Sequence, residues 1–204
     1  MKRPAFFPLY TFILCLLWAV PSLARVGLTE TVFKDAGRGR TLKTHIWYPS
    51  DDKPAERFAE NAVFEGIDAV RDGAIRPGQY PLYVLLHGAT GNWRNLSWLA
   101  ALLAENGAVV CAANHPGYTS GDATPASIIR AWGQPLDASF MADEMLRSRF
   151  KEVIDQSKVF AVGYSLGGNV LLKYLGETGA DSQLQGAAAV SVPFRLDQCA
   201  DRIG

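Results

Sequence analysis

The chain has 204 residues, of which 49% are hydrophobic and 20% charged. That balance belongs to a globular domain and excludes a disordered or collagen-like chain. Lys+Arg 20 matches Asp+Glu 20, so the basic excess of a nucleic-acid binder is missing. Three histidines and three scattered cysteines do not make a zinc ribbon or a disulfide scaffold.

The first element in chain order is an address. Lys2 and Arg3 precede an uncharged apolar run over residues 9–20, then Pro21 and the small-residue site Ser22-Leu23-Ala24. This is the layout of a secretory signal peptide over residues 1–24. The rival reading is an uncleaved anchor, because residues 5–24 carry no charge and come close to spanning length. Leu14 before Cys15 is bulky where a lipoprotein signal places a small residue. Cleavage would export residues 25–204 to a periplasmic or secreted location, with net charge −2 and no stable membrane insertion. Cys111 and Cys199 would remain and read as buried thiols.

Residues 41–48 alternate, with Leu42, Thr44, Ile46 and Tyr48 on one face and Lys43, His45 and Trp47 on the other. They form a predicted strand stopped by Pro49, with His45 facing the surface. Residues 51–81 are rich in charge, Gly and Pro and read mostly as connection, with turns at Asp72-Gly73 and Pro77-Gly78. Residues 81–86 are a continuous apolar run, predicted as a strand buried on both faces. A helix over 93–106 follows from Leu96, Leu99 and Leu103, with Asn92 as cap and Gly107 as stop. The remaining predictions are a strand over 108–113, a helix over 137–150, a strand over 159–162, a helix over 166–176 and a strand over 187–192. Strands alternating with helices give βαβ units and a mainly parallel sheet.

The chemistry sits at two ends of these predicted strands. Gly163-Tyr164-Ser165-Leu166-Gly167 follows a buried strand and opens a helix, the context expected of a G-x-S-x-G nucleophile elbow. Glycines at 163 and 167 remove side chains that would collide where the backbone doubles back. Ser165 is the candidate nucleophile. The second end is His87-Gly88-Ala89-Thr90-Gly91 after the earlier strand. The backbone amides of Leu166 and Ala89 are the candidate oxyanion donors, each worth about 3 kcal/mol to the barrier when aimed at the tetrahedral oxygen. His87 reads as holding its loop. His115, in Asn114-His115-Pro116-Gly117, reads as a loop histidine bonded to backbone. No histidine pair has metal-ligand spacing, so no metal and no cofactor are expected. Asn95-Leu96-Ser97 fits a glycosylation sequon but lies in a predicted helix.

From about residue 41 to 168 the chain resembles the predicted dienelactone hydrolases, a branch of the α/β-hydrolase superfamily related to platelet-activating-factor acetylhydrolases. The likeness rests on Ile46-Trp47-Tyr48-Pro49, Glu60-Asn61-Ala62-Val63-Phe64, residues 80–91, Asn114-His115-Pro116-Gly117, Thr119-Ser120-Gly121-Asp122, Trp132 with Pro135 and Asp137, and the elbow. After the elbow, Asn169 to Gly176 and Ala188 to Phe194 look more like another branch, whose elbow is followed by Asn-x-Leu-Leu-Lys-Tyr-Leu-Gly. That branch usually has Asp after Pro-Phe, where this chain has Arg195. The resemblance implies a three-layer α/β-hydrolase sandwich, with about six of the usual eight strands and incomplete at the C-terminus. It also implies hydrolysis of a small-molecule ester or lactone through an acyl-enzyme on Ser165.

The order nucleophile, acid, histidine is not completed. Only 39 residues follow Ser165, and all three histidines precede it. Asp181, Asp197 and Asp201 follow it, but none ends a predicted seventh strand. Three explanations stand: a truncated product or fragment of a full hydrolase, a pseudo-hydrolase that binds without turnover, or His115 recruited as base.

Overall fold

The computed structural model describes residues 25–53, 56–62, 65–129 and 132–192. The expected signal peptide, Val63, Phe64, Arg195, Asp197, Cys199 and Asp201 lie outside the described residues.

Eight strands form one sheet, in the order β3-β4-β1-β2-β6-β5-β7-β8. Strands β1 (Arg25–Asp35) and β2 (Arg40–Ser50) make a long antiparallel hairpin, with Thr31 opposite Thr44. Short strands β3 (Glu56–Phe58) and β4 (Ile67–Arg71) extend the sheet beyond β1. The central strands β5 (Tyr80–Leu86), β6 (Val109–Ala113), β7 (Ile154–Tyr164) and β8 (Gly186–Val190) pair in parallel.

The helices are α1 (Ser97–Glu105), α2 (Pro125–Ile129), α3 (Gly133–Arg147) and α4 (Leu166–Thr178). Helix α1 packs Ala100, Ala101 and Ala104 on one face of the sheet with Trp47, Leu85 and Val110. Helices α3 and α4 cover the other face, where Met141, Met145 and Leu171 meet Leu82, Val84 and Leu86. The result is helix, sheet, helix. Adjacent residues of β5 enter opposite clusters, as the period of two requires, and the strand is apolar throughout because both faces are covered.

Several boundaries differ from expectation. The stretch over 51–81 contains two strands, not only connection, because β3 and β4 are short and pair at the edge beyond β1. With β1, where no strand was expected, the sheet has eight strands rather than about six. Pro49 does not stop β2, which runs to Ser50: it lies beyond the Thr44–Trp47 stretch that pairs with β6, so its missing N–H costs no bond to that strand. The helix expected from 93 begins as a 3₁₀ turn over Trp93–Leu96, capped by Asn92 in a reciprocal capping box with Asn95. The helix expected over 137–150 starts four residues earlier, at Gly133. His45 is buried, not surface-facing. Its ring stacks on the Trp93 indole with centroids 3.7 Å apart.

Candidate active site

Parallel strands end together, so β5, β6 and β7 bring their following loops to one rim. Ser165 stands between β7 and α4 with φ 55° and ψ −123°, a left-handed-side conformation that costs a non-glycine residue about 1–3 kcal/mol. The surrounding glycines make it possible. A Cβ on Gly163 would lie 2.5 Å from the Gly167 carbonyl oxygen, and one on Gly167 would lie 2.7 Å from the His87 carbonyl oxygen. The elbow is thus wedged against the loop after β5. A Cβ on Gly88 would come within 3.0 Å of the Ser165 Cβ, so the two candidate motifs meet at the hydroxyl. Ser165 itself is half-buried and can be reached.

Leu166 is the first residue of α4, and Ala89 packs in the same small apolar cluster as Leu166, Val170 and Tyr118. Among the described residues neither the Ala89 nor the Leu166 N–H has a hydrogen-bond acceptor. An amide at a helix N-terminus and a second in the facing loop are groups of the kind that can stabilise negative charge.

His87 holds its loop, as expected. Its Nδ1 donates to the Gly88 carbonyl at 2.7 Å and its Nε2 accepts from the His115 N–H at 3.4 Å. Burial, with the neighbouring His115 adding to it, lowers its pKa to about 4. The neutral ring is part of the scaffold.

His115 differs from the expected backbone-bonded loop residue. It is fully buried, and its Nδ1 lies 3.0 Å from Asp137 Oδ2. Asp137 also receives Arg38 Nη1 at 2.8 Å and a two-pronged grip from Arg40, Nε at 2.7 Å and Nη2 at 2.6 Å. Burial works to raise the Asp137 carboxyl, but hydrogen bonds from His115 and Arg40 outweigh it and hold the pKa below the usual carboxylate value. Arg40 also donates to the Pro116 carbonyl at 3.1 Å. This hub ties the loop after β6 to α3 and to the β1–β2 turn. Sequence reading missed it, although Asp137 sits at helical spacing with Met141 and Met145 on the buried side of α3. A carboxylate on an apolar face needs buried partners.

His115 Nε2 is buried and, among the described residues, has no hydrogen-bond partner, so it does not contact the Ser165 hydroxyl. Recruitment of His115 as the base, which required hydrogen-bond reach, is not what this geometry provides. Asp181 ends a 3₁₀ turn between α4 and β8, at the opposite rim from Ser165. No group of three or more His, Cys, Asp or Glu is placed to hold a metal among the described residues. No helix among them is long and apolar enough to cross a membrane.

Residues 81–204 match the alpha/beta hydrolase fold family, more than half of the chain. The chain belongs to that family. This alpha/beta hydrolase is 31% identical over 149 residues to the embryogenesis-associated protein EMB8 of Picea glauca, covering 65% of this chain and 28% of that protein. It is 31% identical over 121 residues to the monoacylglycerol lipase of Saccharomyces cerevisiae, covering 57% and 25%. The chain therefore spans about a quarter of the length of these curated relatives. Among solved structures, the ferulic acid esterase from Streptomyces cinnamoneus superposes with TM-score 0.63 at 22% identity, over 79% of this chain and 58% of that one. Esterase Est22 superposes with TM-score 0.54 at 17% identity, over 84% and 46%. At these identities the structures speak for the hydrolase fold.

Proposed function

We propose that this alpha/beta hydrolase carries the nucleophile half of a carboxylic-ester or lactone hydrolase. Ser165 would attack the substrate carbonyl, the oxygen would take its negative charge against the Ala89 and Leu166 amides, and the alcohol would leave an acyl group on Ser165. The observation that carries this reading is the strained Ser165 backbone, packed against Gly88 with two unengaged N–H groups alongside. The relatives agree with an ester substrate. The name of one is a monoacylglycerol lipase and the names of two structural neighbours are esterases. Within that class, residues 41–168 resemble dienelactone hydrolases, which favours a small ester or lactone. Export by residues 1–24 belongs to the same reading, and N-terminal sequencing of exported protein beginning at Arg25 would support it.

The catalytic consequence of the histidine placement is quantitative. No imidazole contacts the Ser165 hydroxyl among the described residues. A serine without its base loses on the order of 10⁴–10⁶ in rate, while the oxyanion donors retain some catalysis. The second reading is a ligand-binding protein without turnover. Incubation with p-nitrophenyl acetate followed by peptide mass spectrometry separates them. Slow acetylation of Ser165, absent in Ser165→Ala, supports the hydrolase half-site. A chain that is never acetylated there supports the binding protein.

A further inference from the structure

A cavity of about 450 Å³ lies on the α1 side of the sheet, lined by Glu30, Lys43, His45, Trp93, Arg94 and Asn114 among others. Asn114 directly follows β6, and Thr44 of β2 is paired with Ala113, so the cavity opens at the same rim as Ser165. It lies over β1 and β2, four and three strand steps from β7, or roughly 14–19 Å at ordinary strand spacing. A neighbouring cavity of about 350 Å³ shares Lys43 and Asn114.

The lining is rich in donors. Among the described residues Lys43 and Arg94 form no ion pair, and Arg94 lies over the Trp93 ring at 4.8 Å. Asn114 accepts the Trp93 N–H on its Oδ1 at 3.1 Å, which leaves its amide Nδ2 to donate. Glu30, the acid in the lining, is engaged by Arg71 at 3.7 Å and by His45 Nε2 at 3.5 Å. His45 is 7% exposed, and its buried Nδ1 has no hydrogen-bond partner among the described residues. Two uncompensated cations and a free amide around one cavity match an oxyanion.

We propose that this cavity binds a small oxyanion, the carboxylate or phosphate group of a small molecule, through Lys43, Arg94 and Asn114. The site is separate from Ser165 and stands whether or not Ser165 is acylated. His45 is a built-in reporter. Burial lowers its pKa to about 4, with Glu30 acting to raise it and Arg94 to lower it further. An anion beside Arg94 offsets that cation and moves the His45 pKa upward.

The test is histidine NMR on the full chain, with His45 assigned by His45→Gln. Inorganic phosphate and acetate are titrated separately against chloride at the same ionic strength. A saturable shift of the His45 signals with phosphate or acetate, and a raised His45 pKa, is the expected result; the probe that gives it identifies the anion class. Lys43→Met and Arg94→Met should each weaken binding about tenfold or more, while Lys158→Met, in β7 and outside the cavity lining, should not. Shifts that fail to saturate, that chloride reproduces, or that survive both cavity substitutions overturn the proposal.

Discussion

At the scale of single residues, the site is decided by backbone contacts that leave no room for a Cβ. Gly167 faces the His87 carbonyl oxygen at a distance that even alanine cannot accept. Gly167→Ala should therefore push the elbow off the loop after β5, costing about 1–3 kcal/mol. It should also abolish acylation of Ser165, read by urea unfolding and intact mass. The sequence made this legible, because glycine spacing around a serine between strand and helix has a steric meaning. Asp137 was less legible, since its three partners come from distant parts of the chain. Asp137→Asn removes the charge that Arg38, Arg40 and His115 share while keeping the shape. Leaving those donors without their carboxylate should destabilise the fold by about 3–5 kcal/mol in urea unfolding. A loss below about 1 kcal/mol would mean the hub is not a structural anchor.

At the scale of elements, the apolar runs of β5, β6 and the second half of β7 announced themselves, because stretches covered on both sides have no polar positions to blur them, whereas the polar residues 155–158 hid the start of β7. The outer strands were harder. β1 alternates more loosely, since the burial pattern mixes covered and open positions, and β3 and β4 are too short for periodicity to register. His45 was misplaced for a related reason. It shares a face with exposed Lys43, but the 3₁₀ turn carrying Trp93 folds over it, and that contact is 48 residues away in the chain. Helix α3 shows the opposite case, in which the buried side was readable at i and i+4. Met145 is fully buried there against the sheet. Met145→Ala should cost about 2–5 kcal/mol. Thermal or urea unfolding of that variant checks whether α3 is docked as described.

At the scale of the whole molecule, stability should depend on pH through two buried imidazoles. His45 and His87 have pKa values of about 4 in the fold, lowered first by burial, against 6.5 in the unfolded chain. Between those values the unfolded state binds protons that the folded state refuses. Their contribution is complete above pH 6.5 and is lost as pH falls toward 4. From pH 7 to pH 5 each should cost roughly 2 kcal/mol of unfolding free energy. Asp137 does not oppose this trend, because its depressed carboxyl titrates below that window. Urea unfolding at both pH values tests it; equal stability would show the rings are not held neutral.

The central feature is the Ser165 hydroxyl, presented beside two amides and, among the described residues, in contact with no imidazole. The most direct measurement is the time course of a fluorophosphonate adduct on the full chain, located by peptide mass spectrometry and repeated on Ser165→Ala. The expected result for this 204-residue chain is a single adduct on Ser165, formed on the order of 10⁴-fold or more slowly than a serine with its base would react, and none on Ser165→Ala. Rapid labelling of Ser165, or labelling that persists in Ser165→Ala, would contradict it.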